Sequence, residues 1–353
     1  INMRALAILC WIAIAHGLPP DETEIEQMWE RFQSQYPRNY YYGANRFIAF
    51  RLNVLQAHFS NLEQGINCTD LFDDEKCVFG ITKFSDMFED EFAATHFGFK
   101  RREERPGAPV MNLTGFPKAA AAVDWREKGA VTKVKDQGNC GSCWAFSTTE
   151  EIESAVFMAT GKLETLSTQQ IISCDKKDDG CNGGDTVTAY KYVEKAGGLD
   201  TASDYPDKSH MSGKTGKCTW DQKTAAQVSG FTYATKPCNY GGCRHQDEDA
   251  LATALAAKGP VSICVNAGGN GWQNYKRGVY SRRCSGASSK LDHCVQLVGY
   301  NKDASTPYWI VRNSWNTDWG IEGYMHLEMG KNLCGVADEA TIAQATTDSK
   351  FVT

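Results

Sequence analysis

Residues 137–146 read Gln137-Gly138-Asn139-Cys140-Gly141-Ser142-Cys143-Trp144-Ala145-Phe146. Gly141 and Ser142 are turn and cap residues. From Cys143 onward Ala145, Thr149, Ile152, Val156 and Ala159 recur at three- and four-residue spacing, until Gly161 stops the run. The spacing predicts a buried helix with Cys143 in its first turn. Free amides and the positive dipole end favour an anion there, so the thiol is expected to ionise more readily than a free one. A thiolate nucleophile needs a proton-transfer partner and a group that orients that partner. The competing reading of Cys143 is half of a disulfide.

The partners come from far along the chain. His293 lies in Leu291-Asp292-His293-Cys294, just before the apolar run Val295 to Tyr300. Asn313 lies in Arg312-Asn313-Ser314-Trp315, just after the strand-like Tyr308 to Arg312. Two strand ends can set these side chains side by side at one edge of a sheet. Histidine can hold the thiol proton and later hand it to a leaving amine. The Asn313 amide oxygen can accept the other ring N–H and fix the ring without adding charge. Trp315 is large enough to cover that bond from water, and core packing is its other role. Gln137, on the loop feeding the helix, can join the Cys143 backbone N–H in stabilising an oxyanion.

The 353 residues are 42% hydrophobic and 23% charged, an ordinary globular composition, and the net charge of −6 gives no basic surface for nucleic acid. Met3-Arg4 followed by the apolar run Ala5 to Ala15 describes a secretory signal peptide over 1–17, too short to span a bilayer. The expectation is a protein without a membrane anchor, in an oxidising compartment where disulfides persist.

Residues 21–36 carry the helical stripe Ile25, Met28, Trp29, Phe32 and Tyr36. A longer helix is predicted from about Ala44 to Gln64, with Arg46, Phe50, Asn53, Ala57 and Asn61 on one face. Polar residues there suggest an internal network, with a solvated face as the alternative. Val78 to Asp86 reads as a short strand-like piece. Residues 100–122 carry charge, Pro and Gly without periodicity, which predicts an exposed linker open to proteolysis. Activating cleavage is expected between about Thr114 and Ala122. Signals from 143 to 200 are mostly helical. Beyond about 225 they are strand-like, at Val261 to Val265, Val295 to Tyr300, Tyr308 to Arg312 and Tyr324 to Met329. A helical half followed by a β half predicts an α+β fold with a cleft at the junction.

Cys140-Gly141-Ser142-Cys143-Trp144 fits the C-G-[SA]-C-[WY] signature of the papain and cathepsin nucleophile. Gly180-Cys181-Asn182-Gly183-Gly184, Trp315, Trp319, Gly320, Gly323 and Tyr324 add to the likeness. The chain thus resembles the papain-like cysteine proteases, cathepsin L and F types, from its first helices to its last cysteine. The resemblance implies a helical left domain and a β-barrel-like right domain over 121–353. It also implies an inhibitory helical prodomain over 18–99 and an activation linker over 100–120. The prodomain helix face, and Gly80, Phe84 and Asp86, follow the family's two propeptide motifs, while Tyr42 and Thr82 depart from them. The implied activity is that of a cysteine endopeptidase made as a zymogen, acting through Gln137, Cys143, His293 and Asn313. It uses no cofactor or metal. Peptide substrates, the chain's own prodomain and cystatin-like inhibitors are its implied partners, and it acts as a monomer, in a lysosome or outside the cell.

The chain holds 14 cysteines; setting aside Cys10, Cys68 and Cys77 leaves eleven in the mature part, an odd count that implies one free thiol. Cys143 is the candidate. Cys68 can pair with Cys77. The family likeness implies Cys140–Cys181, Cys174–Cys218 and Cys284–Cys334. Cys238 and Cys243 can then bridge locally, leaving Cys264 with Cys294 in the wall of the pocket for the second residue before the scissile bond. A zinc site of Cys238, Cys243 and His245 is the weaker alternative in a secreted context.

The likeness also places Gly183, Gly184, Asp185, Thr186, Cys264, Cys294, Trp315 and Glu339 along the substrate cleft. Glu339 stands at the floor of the second pocket, where family members with an acidic residue accept Arg as well as apolar side chains. Asp185 and Glu339 are otherwise surface carboxylates. His210 stands alone, without the paired histidines of an exopeptidase occluding loop. A catalytically inactive binding protein, and an exopeptidase or peptide ligase on the same site, are the other readings. Asn67-Cys68-Thr69 and Asn112-Leu113-Thr114 are glycosylation sequons at Asn67 and Asn112.

Overall fold

Asp21 starts the first helix with a capping box: its side chain accepts from the Glu24 amide at 2.9 Å, and the Glu24 carboxylate accepts from the Asp21 amide at 2.9 Å. This and everything below come from a computed structural model that describes residues 17–38, 43–238, 243, 246–269, 271–282 and 284–345. The expected signal peptide, Gly17 excepted, and Tyr42 and His245 lie outside them.

The N-terminal part folds as α1 (Glu22–Gln35), α2 (Gly43–Glu63) and α3 (Glu89–His96). The polar face of α2 is an internal network. Asn53 Nδ2 donates to the carbonyls of Ser85 and Met87, both at 2.9 Å. Asn61 Oδ1 accepts from the amides of Val78 and Phe79, both at 3.0 Å. Those side-chain bonds replace a strand ladder. The expected strand over 78–86 is instead a run of turns whose one bridge joins Phe79 to Tyr275. Buried apolar residues of this part, such as Phe50, Phe79 and Phe92, share one core with Trp272, Tyr275, Trp315 and Trp319 of the β half.

The helical half holds α4 (Cys143–Thr160), α5 (Thr168–Cys174), α6 (Thr186–Ala196) and α7 (Ser209–Ser212). Helix α4 ends at Gly161, whose φ of 74° suits a residue without a Cβ. The β half carries one more helix, α8 (Glu248–Lys258), and most of an eight-stranded sheet. The strands are β1 (Ala122–Asp124), β2 (Val228–Tyr233), β3 (Val261–Val265), β4 (Val279–Tyr280), β5 (His293–Asn301), β6 (Tyr308–Arg312), β7 (Tyr324–Glu328) and β8 (Ala340–Ala345). Their order is β2-β8-β3-β5-β6-β7-β4, with β1 paired to β5. Helix α4 packs across β5, β8 and β3, and the amide of Cys294, the second residue of β5, reaches the sulfur of Cys143 at the helix N-terminus. The fold is α+β: a helical N-terminal part, a helical half and a β half.

Among the described residues six disulfides are present: Cys68–Cys77, Cys140–Cys181, Cys174–Cys218, Cys238–Cys243, Cys264–Cys294 and Cys284–Cys334. Among the described residues Cys143 is the free cysteine.

The segment expected as one exposed linker divides in two. Residues 114–122 are exposed apart from Ala119, whereas the side chains of Arg101, Arg102 and Arg105 are held in ion pairs. Charge predicted a solvated stretch, and carboxylates of the helical and β halves supply partners that the local sequence does not reveal.

Candidate active site

Cys143 opens α4 and is fully buried. His293 opens β5, two residues earlier than the apolar run from Val295 suggested, and Asn313 follows β6. Strands β5 and β6 are neighbours, with Gln296 opposite Arg312, so both side chains reach one sheet edge. His293 Nε2 lies 2.9 Å from Asn313 Oδ1, which also accepts from the Ser314 amide at 2.8 Å. Two contacts with one acceptor fix the Asn313 amide and place the ring proton on Nε2. Nδ1 of His293 is then the nitrogen available for proton exchange. Trp315 is buried and stacks on the imidazole, centroids 4.9 Å apart and planes at 26°.

The Gln137 side chain is held at both ends. Its Oε1 accepts from Ser314 Oγ at 2.8 Å, and its Nε2 donates to Cys140 O at 3.0 Å and His96 O at 3.2 Å. The amide therefore reaches the space just before Cys143, where a substrate carbonyl oxygen would sit.

That space is filled by residues 96–100. The Gly98 amide donates to Cys143 Sγ at 3.2 Å. Gly184 N donates to Gly98 O at 2.9 Å, and Lys100 N to Gly184 O at 2.8 Å, so Phe99 bridges Gly184 in parallel. A Cβ on Gly184 would lie 2.6 Å from the Trp144 ring, so there is room only for glycine there.

The thiol departs from its expected acidity. Burial pushes Cys143 up to about 12, only partly opposed by the amides of Cys294, Gly98 and Trp144, while Asp292 adds to the rise. Burial lowers His293 to about 4, against hydrogen bonds that the ring donates to Asn313 and to the His96 carbonyl. With the cleft covered, both groups are neutral near pH 7. The helix terminus still favours the thiolate, but desolvation without a counter-ion is the larger effect here.

The residues placed along the cleft divide into groups. Asp185 caps α6 through the Val187 amide and receives Arg105 Nε and Nη2 at 2.8 and 2.9 Å. Arg105 Nη2 also lies 2.6 Å from Glu339 Oε2, and Arg101 Nη1 lies 2.8 Å from Glu339 Oε1. Asp185 and Glu339 are therefore buried, not surface carboxylates. Cys264 and Cys294 face each other across β3 and β5, and the Cys264 amide donates to Glu339 O at 3.1 Å, tying the disulfide to the acidic pocket. Gly183, with φ of 111°, has Gly98 O only 2.8 Å from where a Cβ would stand. Thr186 is buried as the first residue of α6, and no polar contact joins it to the acidic group.

Sequence reading missed His96, the partners of Gln137, and Asp178 with Asp179. The last two stand directly before the Gly180-Cys181 motif, in the acidic run Asp175-Lys176-Lys177-Asp178-Asp179, which could have pointed to them. Among the described residues, the one group of three side chains spaced for a metal is Cys68, Asp74 and Cys77, and both its sulfurs are in a disulfide.

The papain family cysteine protease pattern matches residues 119–344. Cysteine proteinase 15A of Pisum sativum is 38% identical over 336 residues, covering 88% of this chain and 84% of its own. Digestive cysteine proteinase 1 of Homarus americanus is 38% identical over 317 residues, covering 88% and 92%. The digestive procathepsin L2 proteinase from Tenebrio molitor larval midgut superposes with a TM-score of 0.76 at 31% identity, over 91% of this chain and 99% of that one.

Proposed function

The chain belongs to the papain family of cysteine proteases, as the zymogen of a cysteine endopeptidase whose own prodomain is its intramolecular inhibitor, and on that premise we propose the roles of its residues. Cys143 is the nucleophile, His293 the general base and acid, Asn313 the residue that orients His293, and Gln137 with the Cys143 amide the oxyanion donors. The carrying observation is the His293 Nε2 to Asn313 Oδ1 contact at 2.9 Å, which leaves Nδ1 to exchange a proton with the thiol.

After prodomain release Cys143 passes its proton to His293 Nδ1, and the resulting thiolate attacks the scissile carbonyl carbon. A C–S bond forms, and the carbonyl electrons move to oxygen against Gln137 Nε2 and the Cys143 N–H. His293 gives its proton to the leaving nitrogen as the C–N bond breaks, leaving a thioester. Water then attacks, His293 takes its proton, and the carboxylic acid departs as the C–S bond breaks. Arg105, seated between Asp185 and Glu339, supports a second pocket that takes Arg or Lys as well as apolar side chains.

Activating cleavage belongs in the exposed stretch 114–121, just before β1 pairs with β5 and anchors the mature N-terminus. Six disulfides fit an oxidising compartment, so the route is secretory, ending in a lysosome or outside the cell. No helix among the described residues is long and apolar enough to cross a membrane. Asn67 and Asn112 are exposed and accessible to glycosylation.

The test is turnover of a fluorogenic dipeptide by acid-treated protein, with an epoxysuccinyl thiol inhibitor and a Cys143→Ser control. Inhibitor-sensitive cleavage that appears as the prodomain is lost supports the assignment. Complete prodomain removal without turnover, or without labelling of Cys143, overturns it.

A further inference from the structure

Strand β2 ends the sheet order, so its main chain has one edge turned away from β8. Residues 109–111 occupy that edge. The Tyr233 amide donates to Pro109 O at 2.9 Å, and the Met111 amide donates to Tyr233 O at 2.8 Å. Val110 thereby bridges Tyr233 in parallel. Pro109 has no N–H, so a further bond toward the Phe231 carbonyl cannot form.

Side chains favour this seat without specifying it. Ala108 is half-buried against the apolar cluster that contains Phe231 and Tyr233, and Met111 against the one that contains Ala234 and Ile342. Val110 between them is 46% exposed. Main-chain bonds that ask little of the side chains are how an extended peptide adds to an open sheet edge. The edge adjoins the acidic pocket, because Tyr233 lies opposite Thr341, two residues after Glu339.

The holds on the covering segment follow one another along the chain. Gly98 is at the thiol, Lys100 at Gly184, Arg101 and Arg105 at Glu339, and Met111 at Tyr233. All of them precede the exposed stretch 114–121, so a cut there removes none. We propose that the outer edge of β2 at Tyr233 is a strand-docking edge whose partner is the cut prodomain itself. Residues 109–111 stay paired after cleavage and hold the cleft contacts in place, because a chain bound at two places rebinds at one before it lets go at the other. The enzyme is freed when this pairing opens, not when the linker is cut, which rests on placing the activating cut in 114–121.

The test uses the full chain at neutral pH, cut by an unrelated sequence-specific protease at an inserted site, so it does not depend on where natural cleavage falls. Two quantities are read: the rate of Cys143 alkylation, and co-elution of the prodomain with the enzyme in gel filtration. The site is inserted after Gly115 or after Gly107, both exposed. The cut after Gly115 leaves 109–111 on the prodomain, which should co-elute and keep Cys143 slow to alkylate. The cut after Gly107 leaves them on the enzyme, and alkylation should be roughly tenfold faster, the size of one or two lost hydrogen bonds. With the cut after Gly115, Met111→Pro removes the N–H that reaches Tyr233 O and should give a similar rise, while Met111→Ala keeps that N–H and should stay closer to the parent. Residue 111 leaves with the prodomain, so the enzyme released from these variants is the same. Equal alkylation and co-elution after the two cuts overturn the proposal, and that comparison decides even if Met111→Pro misfolds. No rise with Met111→Pro, in a chain whose uncut form alkylates like the parent, overturns it too. So does a rise with Met111→Ala as large as with Met111→Pro, since packing rather than pairing then holds the segment. A Cys143 that stays unreactive once the prodomain elutes separately counts against the site assignment instead, and co-elution still reads the edge.

Discussion

The backbone amide of Gly98 donates to Cys143 Sγ at 3.2 Å, where a substrate would present a carbonyl carbon. Sulfur has nothing to attack in an N–H group, so the covering segment lies on the proposed nucleophile without being cut there. The neighbouring His96 carbonyl takes up the Gln137 amide, so the proposed oxyanion donor is occupied by the same segment. A Cβ on residue 98 would stand 2.0 Å from the Gly141 carbonyl oxygen, so glycine is required by space.

Gly98→Ala should therefore loosen the prodomain over the thiol. Overpacking of this kind costs about 1–3 kcal/mol, so Cys143 in the uncleaved full chain should be alkylated at neutral pH roughly ten times faster or more. A rate equal to the parent's would mean that the segment moves aside without losing its hold.

His96 gives the prodomain a sensitivity to acid. Its ring is stacked on Phe92, centroids 4.3 Å apart, and lies edge-on to Trp315. Burial lowers it to about 3; the Phe92 carbonyl opposes that, while His293, Lys83 and Arg38 add to it. The bound form thus favours the neutral ring, while the released prodomain takes up a proton near the ordinary value of about 6.5. Binding is unaffected by His96 above that pH and weakens as pH falls from about 6.5 toward 3. Two pH units into that window correspond to about 2.7 kcal/mol. His96→Phe keeps an aromatic ring and removes the titration, so half-activation, followed by labelling of Cys143, should move to lower pH. An unmoved midpoint would assign the acid response to the carboxylates around Arg101, Arg102 and Arg105.

The place of a candidate site residue was legible in the sequence wherever it stands at the end of an element. Cys143 before a helical run, His293 before an apolar run and Asn313 after one are such cases. The helix itself was only partly legible. Its apolar spacing marks one stripe, yet α4 is buried on nearly every side from Cys143 to Ala155. Glu150 faces buried Arg312 at 3.4 Å, and Glu153 meets Lys135 at 2.6 Å. Those partners are far away in sequence, so periodicity reads the three acids of α4 as solvent-facing. The same limit hid the docking of residues 101–105, because a run of arginines looks solvated until its carboxylates are known. The acidity of Cys143 was misjudged for a related reason: the helix terminus is local, but the cover over it is not.

Gln137 is held for its task by Ser314, whose Oγ donates to Gln137 Oε1 at 2.8 Å. Gln137→Ala in the mature enzyme should lower kcat by about 10²–10³-fold, the usual loss for one oxyanion donor. Ser314→Ala leaves the donor but frees its amide to rotate, so a smaller fall of roughly tenfold, in kcat more than KM, is expected. A change confined to KM in both variants would mean that the pair binds substrate without stabilising the oxyanion.

Glu339 separates charge recognition from general pocket shape. It is 2% exposed, its carboxylate meets both Arg101 and Arg105, and its backbone carbonyl is tied to Cys264. The main-chain bond does not depend on the side chain, so Glu339→Gln keeps the size and anchoring of residue 339 while removing its charge. The cation of a substrate Arg would then be seated against Asp185 alone. A charge-assisted bond contributes about 1.5–3 kcal/mol, so kcat/KM for Arg at the second position should fall at least tenfold relative to Leu. The comparison is made within each enzyme, as the ratio of Arg to Leu peptides. If Arg and Leu substrates fall equally, Glu339 supports the pocket wall rather than reading charge, and Asp185 becomes the residue to replace next.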